Sequence, residues 1–360
     1  MAYTDIDDPS AYFQIKLYAG TGASLAITND GNSDLQGDLI WIKGRSGATE
    51  HVLTDSSRGV TKEISSNDNG AEETVAQGLT AFGSDGFTVG TDASYNTSSA
   101  TYTSWQWKSN GGTTASNTDG DITSTVQANT DAGFSIVTYT GNANGSDQTV
   151  GHGLGSTCKL VLLKNLTDAG QSWRVYHESV SAAAGGTLFL NGTSEVDAGD
   201  GGGDPARIKS TNDSTITLLA YTSPYNAVNS SGKSYLAYCF AEKQGYSKFG
   251  SYIGNGSTNG SYIYLGFKPS WVLYKKSSAA ENWHIVDNKR DTLNPNSFAI
   301  DANNANAEAN DANLQMDFLS NGFKLRTLHG TANASGSTYI YMAFAEHPFV
   351  SSQGVPTTAR

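Results

Sequence analysis

Apolar and polar residues alternate with period two along most of the chain, in short runs divided by turn residues. In Thr101-Tyr-Thr-Ser-Trp-Gln-Trp107 one side carries Thr103, Trp105 and Trp107, and the other carries Tyr102, Ser104 and Gln106. Ser234-Tyr-Leu-Ala-Tyr-Cys-Phe240 sets out Leu236, Tyr238 and Phe240 in the same way, and Thr338-Tyr-Ile-Tyr-Met-Ala-Phe344 sets out Ile340, Met342 and Phe344. Each run predicts a strand with one core face and one half-exposed face. Leu39-Ile-Trp-Ile-Lys43, Leu160-Val-Leu-Leu-Lys164 and Trp271-Val-Leu-Tyr-Lys275 are apolar throughout, which predicts central strands covered on both sides. Asp85-Gly86, Asn321-Gly322, Ser230-Ser-Gly232 and Ala334-Ser-Gly336 supply tight reversals. Helical periodicity is almost absent: the alanine-rich stretches 180–185 and 302–312 are short and rich in Gly or Asn.

These runs recur in one order, each set opened by a Tyr-x-Gly-type strand at Tyr18, Tyr139 and Tyr252. The openings lie 121 and 113 residues apart, too long for solenoid repeats and suited to small self-sufficient units. The fold class expected is all-β: three tandem antiparallel β-sandwich domains. They cover residues 1–108, 131–243 and 244–349, with a polar, Gly-rich linker at 109–130 and a frayed tail at 350–360. Copies two and three, almost without a linker, should be held more rigidly than copies one and two.

An excess of 34 Asp and Glu over 22 Lys and Arg disfavours nucleic acid and anionic membranes as partners. No apolar run is long enough to span a membrane, and the opening Met1-Ala-Tyr-Thr-Asp lacks the form of a signal peptide, so any export is expected by another route. Cys158 and Cys239 have no cysteine at the equivalent positions of the sister copies and read as packing residues. His51-Val-Leu-Thr-Asp55-Ser-Ser-Arg58, Trp173-Arg-Val-Tyr-His177 and Trp283-His-Ile-Val-Asp287-Asn-Lys-Arg290 follow the central strands. Their Asp-x-x-Arg element, kept in copies one and three, reads as a turn fixed by a partly exposed, weakly stabilising ion pair. Asn96, Asn229 and Asn333 sit in Asn-x-Ser/Thr triplets that turn chemistry explains without glycosylation.

Three kinds of chemistry are candidates. Glu195-Val-Asp197-Ala-Gly-Asp200 resembles the Glu-x-Asp-x-x-Glu strand of lectin-fold glucanases, but its last member is Asp and its setting is a Gly-rich loop, which does not fix two carboxylates about a sugar ring. No catalytic residue is assigned, and the chain is expected not to be an enzyme. Asp197, Asp200 and Asp204 are candidate calcium ligands, although a solvated acidic loop is the commoner meaning of such a segment; no other cofactor is implied. Tyr12, Tyr95, Tyr221, Tyr225 and Tyr246 fall in turns or linkers and are the candidates for stacking on a glycan.

The opening Pro9-Ser-Ala-Tyr-Phe13, the His51-Val-Leu-Thr-Asp55 run, Ser84-Asp-Gly-Phe-Thr-Val-Gly90 and Tyr341-Met-Ala-Phe-Ala-Glu-His-Pro-Phe349 resemble a repeat family of virion proteins in marine tailed bacteriophages. The resemblance implies a concanavalin-A-like (jelly-roll) sandwich per copy and a virion location. It also implies a structural role as tail fibre or spike, with capsid decoration as the alternative and a polysaccharide depolymerase as a further one. The partners it implies are a tail hub or capsid protein, a host surface polysaccharide and, for a fibre, further copies in a homotrimer.

Overall fold

A computed structural model describes residues 3–181, 186–197, 207–219 and 227–357. The protein is mostly β, built from several antiparallel sheets. In copy one the inner sheet runs in the order opening strand Phe13–Ala19, closing strand Thr101–Trp107, central strand Leu39–Gly44 and flanking strand Val52–Asp55. The same order recurs as Phe134–Thr140, Ser234–Ala241, Cys158–Asn165 and Arg174–His177, and again as Ser247–Ile253, Thr338–Pro348, Phe267–Lys276 and Trp283–Asp287. A three-stranded outer sheet covers one face of each: Leu25–Ile27, Gly86–Val89 and Leu79–Gly83 in copy one, with counterparts centred on Thr215–Leu218 and Gly322–Leu325. The turn glycines that open these middle strands are forced by close approach. A Cβ at Gly86 would lie 2.0 Å from the Ile27 carbonyl oxygen, and one at Gly322 2.0 Å from that of Ile263.

The copies share a core. Their inner sheets turn their second faces toward each other and merge into one buried cluster that includes Trp41, Trp105, Leu162, Tyr238, Leu273 and Met342. Trp107, Phe240 and Phe344, the equivalent residues of the three closing strands, form a near-equilateral triangle with ring centroids 6.3, 5.7 and 6.1 Å apart. The three sheets therefore surround a pseudo-threefold axis. Between each inner sheet and its outer sheet lies a smaller separate core. Both faces of the closing strands are consequently covered, and Tyr102, Ser104 and Gln106, expected half-exposed, are buried.

Two boundaries differ from expectation. The polar segment 109–130 contains strands Ala115–Asn117 and Ser124–Asn129, which extend the inner sheet of copy two, so it is not a free linker. Its start is clamped to copy one, because the buried Asp38 carboxylate accepts the backbone N–H groups of Ser109, Gly111 and Gly112 at 2.7–3.1 Å. Gln127 donates to Ser56 and Ser57 from the other side. The end of the chain folds back as well: Val350 bridges Pro356, and Asp7 accepts the Ser352 amide.

The seams between copies explain the pattern that follows each central strand. Asp55 of copy one accepts the Tyr238 hydroxyl of copy two at 2.8 Å, and Asp287 of copy three accepts the Trp105 indole N–H of copy one at 3.1 Å. Both carboxylates are held from behind by their Arg at 2.6 Å, with side chains at most 4% exposed. Each also fixes its turn as expected, accepting the amides of Ser57 and Arg58 or of Lys289 and Arg290, but the pairs are buried inter-copy locks where partial exposure was expected. In the third seam the counterpart of Tyr238 and Trp105 is Met342, which has no donor, and the counterpart of Asp is His177. His177 Nδ1 accepts from Ser179 N, so Nε2 carries the proton and donates to the Tyr341 carbonyl of copy three at 3.1 Å. An opposite ring of contacts runs the other way: Trp173 donates to Ser65 O, Trp283 to Phe189 O and His51 Nε2 to Asp301 O, at 2.7–2.9 Å.

Burial drives the His51 pKa down from 6.5 to about 3 and that of His177 to about 4. Both stay neutral in the fold while an unfolded chain takes up protons below about pH 6.5. The stability this represents is complete above pH 6.5 and is lost as pH falls toward 4 and then 3, at up to ~1.4 kcal/mol per pH unit for each histidine. Denaturant midpoints measured across pH 4.5–7.5 should fall on the acid side. His177→Gln, which keeps a donor but removes the titration, should flatten that slope.

Candidate functional site

An exposed aromatic pair lies on the outer sheet of copy three. Its edge strand Tyr262–Tyr264 pairs with Gly322–Leu325, so Ile263 enters the core beside Phe323 while Tyr262 and Tyr264 face out, 45% and 50% exposed. The equivalent outward positions are Ala26 and Thr28 in copy one and Thr149 and Gly151 in copy two. Two rings about 6.6 Å apart along a strand thus stand where the sister copies hold small residues. Their phenol ends are anchored: Tyr262 donates to Asn321 Oδ1 at 2.5 Å, and Tyr264 meets the Tyr3 hydroxyl at 3.2 Å, which itself donates to Gly266 O at 2.8 Å. Lys248 Nζ lies 5.5 Å from the Tyr264 ring centroid. Opposite Tyr262 on the same face is Lys324.

The tyrosines singled out from the sequence are placed differently. Tyr95 is buried in the outer core of copy one and donates to Glu63 at 2.7 Å. Tyr246 is buried in the shared core, 5.5 Å from the Phe344 ring. Neither can stack on a ligand, because the short helix Ala93–Asn96 that carries Tyr95 and the turn that carries Tyr246 are folded under the sheets. Tyr12 is half-buried, edge-on to Tyr246 at 6.0 Å, and lines an open cavity of about 430 Å³. Tyr221 and Tyr225 lie outside the described residues, as do Asp200 and Asp204. Asp197, the one described member of the calcium trio, bridges Thr187 through its backbone, and among the described residues no cluster of three metal-ligating side chains occurs. Cys158 and Cys239 are free thiols buried in the outer core of copy two. Asn96, Asn229 and Asn333 are buried; each accepts a backbone amide from the turn after the opening strand, a tie between two turns that their own local turn chemistry did not indicate.

A second concavity, about 190 Å³, opens at the seam of copies one and three and brings Asp8 and Asp30 to one wall. Burial would raise both carboxyls, but Ser10 and Ser33 on Asp8, and Lys16 and Lys289 on Asp30, outweigh it and hold each below the ordinary range. Both carboxylates are therefore held ionised by their hydrogen-bond and charge partners. Glu195 is exposed on a segment outside the strands.

Fold and surface together define an antiparallel β protein whose three like sheets close around one axis, with an aromatic strip on one of them. Residues 8–348 match the family described as a domain of unknown function (DUF7483), and the chain belongs to that family. The match runs through all three copies as one unit. No curated protein and no solved structure matches the chain.

Proposed function

We propose that this protein is a non-enzymatic structural component of a bacteriophage virion, located on the tail as a fibre or spike component, that contacts a glycan of the host surface. The observation that carries the binding part is the pair of anchored, solvent-facing tyrosines on copy three, since a flat apolar face with a hydrated edge is what stacks on a sugar ring. The virion part rests on the resemblance of the repeated motifs, and with it the reading of each copy as a concanavalin-A-like sandwich. Attachment to a tail hub or capsid protein, and assembly into a homotrimer, belong to the same proposal. The threefold core is already closed within one chain, so a homotrimer would have to form through outer surfaces.

Purified protein should adhere to bacterial cells bearing the recognised polysaccharide without releasing reducing ends. Tyr262→Ala with Tyr264→Ala should weaken adhesion at least ~10-fold while the melting temperature stays nearly unchanged, because both rings are largely outside the core. New reducing ends would turn the reading to a depolymerase. Tight binding to capsid protein without adhesion would turn it to capsid decoration.

A further inference from the structure

We infer that the strip on copy three is a site for acidic glycans, in which Tyr262 and Tyr264 stack on sugar rings while Lys324 and Lys248 receive their carboxylates. This rests on the glycan-binding reading above and narrows it to one chemical class. The chain carries a net charge of −12, so cations are the minority charge on its surface, and two of them stand together here. Yet the two lysines that flank the strip pair with no carboxylate among the described residues. Lys324 stands directly across from Tyr262, and Lys248 sits over one side of Tyr264 while half of that tyrosine remains open to solvent. Asp317, the register partner of Lys324 in the next strand pair, is engaged by Arg326 Nε at 2.8 Å. A neutral sugar would leave both ammonium groups without partners. A ring bearing a carboxylate supplies what each lacks at the edge of the stacking surface.

The geometry is also fixed in advance. Asn321 and Tyr3 hold the phenol ends, and Ile263 locks the strand into the core between the two rings, so little ordering is left for the ligand to impose. Ser261, next to Tyr262, donates its hydroxyl to the Ile253 carbonyl at 2.8 Å and ties the start of the edge strand to the opening strand of copy three.

The test is affinity electrophoresis of the full chain in gels containing polygalacturonate, alginate or carboxyl-reduced polygalacturonate, with adhesion to bacterial cells measured in parallel. Retardation is expected in the two polyuronates, at least ~10-fold weaker in the reduced polymer, and falling with added salt. Lys324→Gln and Lys248→Gln should each weaken it by about 3–5-fold, and Tyr264→Ala by at least ~10-fold. Equal retardation by charged and reduced polymers would overturn the charge assignment and leave glycan binding standing. Adhesion to cells that survives all four substitutions at Tyr262, Tyr264, Lys248 and Lys324, or no retardation by either polyuronate, would overturn the site. No adhesion to any cell or polymer would overturn the underlying reading itself.

Discussion

Trp107→Ala is expected to destabilise the entire chain by about 3–5 kcal/mol and to do so in one transition. The indole is 1% exposed and touches Phe240 and Phe344, its counterparts in the other two copies, as well as Phe13 and Trp271. Removing it opens a cavity on the pseudo-threefold axis, where every copy loses contacts together. Hydrogen exchange should accelerate in the closing strands Ser234–Ala241 and Thr338–Pro348 as much as in Thr101–Trp107. Acceleration confined to copy one would mean that the cores are independent.

Breaking a seam lock should cost as much. In Asp55→Ala the Arg58 guanidinium keeps Glu72 and the Leu53 carbonyl but loses its buried carboxylate, and the Tyr238 hydroxyl loses its acceptor. A loss of about 3–5 kcal/mol follows from leaving buried charge uncompensated. Asp287→Ala should behave alike through Arg290 and Trp105. Tyr238→Phe removes the same hydroxyl contact, so combining it with Asp55→Ala should add less than the sum of the two changes in chemical denaturation. Full additivity would show that the hydroxyl and the carboxylate do not act as a unit.

Strands, their order and the threefold repeat are legible in the sequence because alternation and turn chemistry are local. What covers an apolar face is not local. Trp105, Tyr238 and Met342 announce an inward face, but nothing in a period-two pattern says that all three point to the same interior. The edge strand inside 109–130 is hidden for a related reason: Ala115–Asn117 adds at a sheet edge and is largely exposed, so it carries no apolar period. Tyr95 and Tyr246 show that a tyrosine next to a turn can be core, since the turn itself folds under a sheet.

Two features were within reach of comparison between the copies. Asp gives way to His177 in copy two while the residue it would meet in copy three is Met342, so the lock and its partner change together. Tyr262 and Tyr264 occupy strand positions where the sister copies hold Ala26, Thr28, Thr149 and Gly151, a contrast that points to a role outside packing.

Differential scanning calorimetry of the unmodified chain tests the shared core most directly. One core predicts a single transition whose calorimetric enthalpy equals the van't Hoff enthalpy. Two or three resolved transitions, or a calorimetric enthalpy about three times the van't Hoff value, would contradict it and return the molecule to three separately folding units.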